Sequence, residues 1–248
     1  MTPQQLERYK RHLLVKEIGG PGQQKLLRAR IIIVGAGALG GQMAITLAAA
    51  GIGFIQIFDD DRVDLSNLQR QTHFVTSDVG ALKVDALKAR IASLNPGVEI
   101  GAVSERWSPE HSMGDANIIL DGTDNFESRF EINRWSRQAG VPFVSGAVAG
   151  WQGQSLLVNV PDIEACPCYQ CYVPEAPPQA GDCNDRGVVG AVTTLTANHM
   201  AMIALQYILG LQPKPGRLWL MDGLGDRTRN IALPQDPNCP VCSILDSA

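Results

Sequence analysis

Three patterns in this chain carry residue types able to bind a nucleotide. The run G-A-G-A-L-G places Gly35, Gly37, Ala38 and Gly40 after an apolar stretch and before a helical one. Glycines there allow a sharp turn and close backbone approach to phosphate, and the helix start offers unpaired N–H groups. Asp59 falls at the end of the next apolar run, where a carboxylate can bind ribose hydroxyls. Downstream, Arg70 and Lys83 supply cations beyond what a pyrophosphate on a helix N-terminus needs, which tilts the reading toward ATP. Their alternative is solvated surface charge. No Gly-x-x-x-x-Gly-Lys-Ser/Thr run is present, so this is not a P-loop. The third pattern, D-G-T-D-N from Asp121 to Asn125, sits where a strand should end. Asp124 there could hold a magnesium ion (Mg2+) bridging phosphate oxygens, and Asp124 or Asn125 could equally cap a helix.

Cysteine supplies the second kind of chemistry. Cys168-x-x-Cys171 and Cys239-x-x-Cys242 are two short-spaced pairs that suit a tetrahedral zinc ion (Zn2+). Four sulfur ligands leave no open position, so the metal would be structural, clipping the region before a long helix to the tail. An iron–sulfur cluster is the competitor, and Cys166 leaves the first ligand open. Cys183 stands apart. Arg186 and a following helix N-terminus would favour its thiolate, as a nucleophile or persulfide-exchange thiol needs, against the alternative of an ordinary loop cysteine.

These residues need elements to position them. Gln4–Val15 reads as an amphipathic helix, Gly19–Gly22 as a turn, Arg30–Val34 and Phe54–Phe58 as buried strands, Gln42–Ala50 and Val79–Leu94 as helices. Ile118–Leu120, Phe143–Ser145 and Gln154–Val160 read as further strands. Pro174–Gly181 reads as a mobile loop, Gly187–Leu211 as a buried helix in preference to a membrane span, and Arg217–Leu233 as a hairpin. The fold class expected is α/β: a doubly wound, Rossmann-like, mainly parallel sheet with a C-terminal mixed or antiparallel extension and a four-cysteine zinc site. The 248 residues are expected to form one unit, with an arm at 1–22, a nucleotide-binding part at 28–150 and a zinc part at 151–248. A net charge of -4 gives no basic footprint, so neither nucleic acid nor an anionic membrane is an expected partner. The start, Met1–Leu14, has no apolar secretion core, which points to the cytoplasm.

Together the patterns resemble the MoeB/ThiF family, bacterial relatives of ubiquitin-activating enzymes. The resemblance rests on R-Y-K-R at Arg8–Arg11, the glycine turn, D-L-S-N-L-Q-R-Q at Asp64–Gln71, Lys83, D-G-T-D-N, C-Y-Q-C, C-N-D-R-G-V-V-G from Cys183, and C-P-V-C. It implies a homodimer using ATP, magnesium and structural zinc. The implied reaction is adenylation of the Gly-Gly carboxylate of a ubiquitin-like sulfur-carrier protein (MoaD- or ThiS-like) for molybdopterin or thiamin biosynthesis. A persulfide donor then converts the acyl-adenylate to a thiocarboxylate, and residues 151–248 meet the carrier. By position, Asp59 and Asp61 resemble the ribose-side acids; Asn67, Arg70 and Lys83 the triphosphate group; Asp124 the metal-linked aspartate. Arg11 resembles an arginine offered to the partner subunit's site, and Cys183 the cysteine some members use in sulfur transfer. Ala38 departs from the usual glycine, and Asn198 and Ala204 from the usual glutamine and acidic residue. The alternatives are an NAD-dependent oxidoreductase on the same glycine turn, or a relative adenylating a non-protein carboxylate.

Overall fold

The computed structural model describes residues 1–111, 115–177 and 187–242. Arg30–Val34 (β1) is apolar after its first residue and pairs in parallel with Phe54–Phe58 (β2) on one side and Ile118–Asp121 (β4) on the other. Glu99–Val103 (β3) extends the sheet beyond β2, and Phe143–Ala149 (β5) extends it beyond β4. Strands Gln152–Val158 (β6), Arg217–Asp222 (β7) and Arg227–Ala232 (β8) then add antiparallel, giving the order β3-β2-β1-β4-β5-β6-β7-β8. The order reverses between β1 and β4, the switch point at which open α/β sheets bind ligands. This is the expected mainly parallel sheet with an antiparallel extension.

Alternation along β1 divides the core. Ile31 and Ile33 face a layer built from Gly19–Arg28 (α2), Ala38–Ala50 (α3), Lys83–Leu94 (α4) and Gly190–Leu209 (α7). Ile32 and Val34 face the other layer, where Phe126–Ala139 (α5) packs Trp135 edge-on against Trp107 and the short helix Tyr169–Tyr172 (α6) adds Tyr169. Pro3–Leu13 (α1) begins with a Thr2/Gln5 capping box and is pinned by buried Tyr9. No helix among the described residues is long and apolar enough to cross a membrane.

Several expectations need correction. Gly19–Gly22 opens α2 instead of forming a turn: Pro21 lies in the first helical turn, where its missing N–H costs nothing. A Cβ on Gly22 would lie 2.9 Å from Leu209, so the glycine serves helix packing. The helix expected from Val79 starts at Lys83, because Gly80 adopts φ +91° and breaks the run. Strand β3 and helix α5 were not expected at all.

Candidate functional site

A cleft of about 690 Å³ opens over the carboxyl ends of β1, β2 and β4. Its floor is backbone. Gly35 leaves β1 at φ +89°, and a Cβ there would lie 2.7 Å from the Gly122 carbonyl oxygen at the end of β4. A Cβ on Gly40 would lie 1.8 Å from the Gly35 oxygen, so this glycine lets α3 sit against the turn and does not line the cleft. Gly37 stands at the N-cap of α3 with no side-chain cap, leaving N–H groups toward the cleft. Ala38 is the first helical residue, so its methyl meets no positive-φ constraint.

Asp59 organises this turn. Its Oδ2 accepts from the Ala36 N–H at 2.6 Å and its Oδ1 from the Asp61 N–H at 2.9 Å. Burial raises its pKa, and the Lys83 ammonium 4.0 Å away opposes that rise. Lys83 Nζ donates to Asp61 Oδ2 at 2.6 Å. Lys83 is a buried cation on the first turn of α4, where the helix dipole disfavours it. Two neighbouring carboxylates make that position tenable.

The S-N-L-Q-R-Q run forms the cleft's side wall. Asp64 and Asn67 close a capping box around the short 3-10 turn Leu65–Asn67, with the Asp64 N–H donating to Asn67 Oδ1 at 3.2 Å. Arg70 follows, half-buried, its guanidinium donating to the Ser66 carbonyl at 3.0 Å. Behind the turn, His73 presses against Gly41 and its Nε2 lies 3.3 Å from the Ala36 carbonyl. Burial pushes its pKa down to about 4, so it is neutral near pH 7.

At the end of β4, Asp121 is fully buried and spends both oxygens internally. Thr123 donates to Oδ1, while Arg129 Nε at 3.0 Å and Ser145 Oγ at 2.8 Å donate to Oδ2. Of the two capping candidates, Asn125 caps α5 by accepting from the Ser128 N–H at 2.9 Å. Asp124 is left exposed at the cleft. The wall carries five aspartates against five arginines and lysines, Arg62, Arg106 and Arg129 among them. Such a balance suits an anion that arrives with a cation better than a bare polyanion.

Thus Gly35, Gly37, Ala38, Asp59, Asp61, Asn67, Arg70, Lys83, Asp124 and Asn125 all line one cleft. Arg11 does not. Tyr9 packs on Gly51 and Arg8 donates to the Leu94 carbonyl, which anchors α1 at the far ends of α3 and α4. Helix α4 has twelve residues, about 18 Å, between that anchor and Lys83. Cys183, with Arg186 and the end of the expected loop, lies outside the described residues. Sequence reasoning missed Arg129 and Gln71. Gln71 is 4 % exposed, lines the cleft, and carries a buried Oε1 without a partner among the described residues.

The second cluster gathers Cys168, Cys171, Cys239 and Cys242, with all sulfur atoms within 4.8 Å of one another. Cys168 to Cys239 is 3.5 Å, Cys168 to Cys171 3.9 Å, and Cys171 to Cys242 3.6 Å. A tetrahedron with Zn–S near 2.3 Å has edges of about 3.8 Å, whereas a disulfide is about 2.05 Å. The cluster therefore could hold a metal ion. Hydrogen bonding with Cys168 and Cys242 lowers the Cys171 thiol below its ordinary range. Cys166 is excluded from the cluster: it is 2 % exposed in the apolar core, and burial raises its thiol. Asn198 Oδ1 accepts from Thr46 on α3 at 2.8 Å, and Ala204 is fully buried.

The chain is similar to known proteins. The chain is 35% identical over 249 residues to the sulfur carrier protein adenylyltransferase of Thermus thermophilus, covering 97% of this chain and 92% of that protein. It is 35% identical over 245 residues to the sulfur carrier protein ThiS adenylyltransferase of Escherichia coli, covering 98% and 97%. Among solved structures, Escherichia coli MccB with ATP superposes with a TM-score of 0.79 at 22% identity, over 95% of this chain and 74% of that one. PaaA superposes with a TM-score of 0.77 at 23% identity, over 95% and 76%. At that identity the likeness concerns fold alone. The ThiF family profile matches residues 9–241, and the chain belongs to the ThiF family.

Proposed function

We propose that this chain is an adenylyltransferase that activates the C-terminal carboxylate of a ubiquitin-like sulfur-carrier protein with ATP. The observation that carries the reading is the convergence of the glycine turn, Asp59, Asp61, Arg70, Lys83 and Asp124 on one cleft at the switch point. The relatives named for sulfur-carrier adenylation, matched over nearly their whole lengths, support the choice of substrate. A nicotinamide dinucleotide on the same turn would leave Arg70, Lys83 and the cysteine cluster without work.

The phosphates lie over the glycine turn and the N-terminus of α3, and the ribose hydroxyls meet Asp59. Both Asp59 oxygens already accept one backbone N–H, and each keeps a lone pair for a hydroxyl. A magnesium ion, held by Asp124, supplies charge neutralisation of the phosphate oxygens when bound. The carrier's carboxylate oxygen attacks the α-phosphorus, the bond to the bridging oxygen breaks, and pyrophosphate leaves. No general base is needed, because a chain-terminal carboxyl ionises below pH 4. Repulsion between carboxylate and polyphosphate makes positioning and charge the main catalytic demands. Lys83, released from Asp61 toward the phosphates, and Arg70, released from the Ser66 carbonyl, meet them. Arg11 of a second copy would add a cation, which is the reason to read the enzyme as a homodimer. Zinc would be held by Cys168, Cys171, Cys239 and Cys242 and would close a structural site. The outer sulfur of a persulfide donor attacks the acyl carbon, AMP leaves, and a thiol such as that of Cys183 cleaves the acyl disulfide to release the thiocarboxylate.

The test is carrier-dependent exchange of pyrophosphate into ATP. Arg70→Ala and Asp124→Ala should each lower it on the order of 100- to 1,000-fold with metal content unchanged. Exchange at the wild-type rate in both would overturn the assignment.

A further inference from the structure

Helix α5 buries a polar stripe that the adenylation chemistry does not use. Arg129, Asn133 and Ser136 are at most 4 % exposed and recur at i, i+4 and i+7, so they share one face. At the cleft end, Arg129 donates to Asp121, to the Thr123 carbonyl at 2.8 Å and to the Gly146 carbonyl at 3.2 Å. One turn on, Asn133 Oδ1 accepts from the Tyr169 N–H at 2.8 Å. A backbone N–H can only donate, so this contact fixes which way the amide points. The Asn133 Nδ2 then faces Cys168 Sγ at 3.5 Å. Asn159 Nδ2 donates to the Asn133 oxygen and to Ser136 Oγ, both at 3.1 Å. An apolar stripe would cost less to bury than this chain of amides and hydroxyls.

The cysteine cluster explains the amide. Four thiolates around a dication leave two negative charges in a buried place, and an N–H aimed at one sulfur offsets part of that charge. The same turn builds a wall. Tyr169, between the two cysteines, and Tyr172 line a second cleft of about 750 Å³ that shares Arg129, Ala147 and Val148 with the nucleotide cleft.

We propose that Asn133 is a positioning residue that holds the Cys168 ligand of the metal site and, through α5 and Tyr169, makes metal occupancy and nucleotide binding favour one another. The coupling rests on the functional reading above; the thiolate contact does not. Coupling between two sites is reciprocal.

Cobalt(II)-loaded and zinc-loaded protein test both parts. Asn133→Leu removes the donor at similar volume, so the sulfur-to-cobalt charge-transfer band should move to lower energy. Zinc affinity by chelator competition should fall on the order of 10- to 100-fold, with Asn133→Ser, which keeps a hydroxyl donor, in between. In the wild type, saturating magnesium-ATP should slow zinc loss to a zinc-selective chelator that leaves magnesium on ATP several-fold, relative to magnesium alone. An unmoved band with unchanged zinc affinity overturns the thiolate role. An unchanged rate of zinc loss, with nucleotide binding verified by calorimetry, overturns the coupling and needs no variant to fold. Absence of ATP binding in the calorimeter defeats the functional reading instead, and the cobalt band still decides Asn133.

Discussion

Four of the five residues of β1 and all four of β4 are buried, whereas every residue of β8 is exposed. The centre of the sheet and its β8 side therefore fix their functional groups by different physics. Around the glycine turn, isoleucines and leucines at 0 % exposure hold the backbone, and the backbone holds the site. Around Cys168 the described cluster is small: three cysteines and Val241 are buried, with Cys171 packed against them. Tyr169 beside Cys168 belongs to the α5 layer of the core, but the cysteine turn and the tail share no such core among the described residues, and a metal clip would hold them locally. Helix α5 belongs to both regimes, with Arg129 bonded to Asp121 and, one turn on, Asn133 facing Cys168.

Metal removal separates the two regimes most strongly. Structural zinc contributes roughly 10 kcal/mol or more in small zinc peptides. Chelation should therefore expose Tyr169 and Tyr172 to chymotrypsin while β1–β4 stays protected. Simultaneous loss of protection at both ends would show that the halves are not distinct. Next in size is the seam. Arg129→Met leaves the buried Asp121 carboxylate without its cation and should cost about 3–5 kcal/mol in urea unfolding. A loss below about 1 kcal/mol would mean that Thr123 and Ser145 suffice for Asp121.

The smallest effect concerns acid. His73 titrates at about 4 in the fold and near 6.5 in the unfolded chain. Its pKa is lowered, so the unfolded state binds the extra proton first. Stability is complete above pH 6.5 and drains away as pH falls toward 4, by roughly 3 kcal/mol in all. His73→Gln should flatten that part of the pH profile of urea unfolding. An identical slope in the variant would place the acid lability elsewhere than under the glycine turn.

What the sequence revealed follows the same division. Strands β1 and β2 were legible to the residue, because a run such as I-I-I-V buried on both faces has no other reading. The glycine turn, the S-N-L-Q-R-Q wall and the paired cysteines were legible because their chemistry depends on short spacings. Helix α5 was not. Its sequence, F-E-S-R-F-E-I-N-R-W-S-R-Q-A, buries Ser128, Arg129, Asn133 and Ser136, so a polar stripe replaces the apolar period that marks a helix. For the same reason Arg129 read as one surface charge among several. Strand β3 was hidden by Gly101 and by half-buried positions without strict alternation. Helix α2 was hidden by Gly-Gly-Pro-Gly, a turn signal overridden by packing of Gly22 against α7. Arg11 rests on the family resemblance alone, and the single chain leaves it away from its own cleft.

Adenylation by this chain requires the cleft at the β1–β4 switch point to hold the phosphates of ATP. A crystal structure of the protein with magnesium and a non-hydrolysable ATP analogue tests it directly. Phosphates are expected over Gly35–Ala38, with Lys83 and Arg70 within hydrogen-bonding distance of them and the metal on Asp124. A nucleotide bound elsewhere, or bound there with all three side chains turned away, would contradict it.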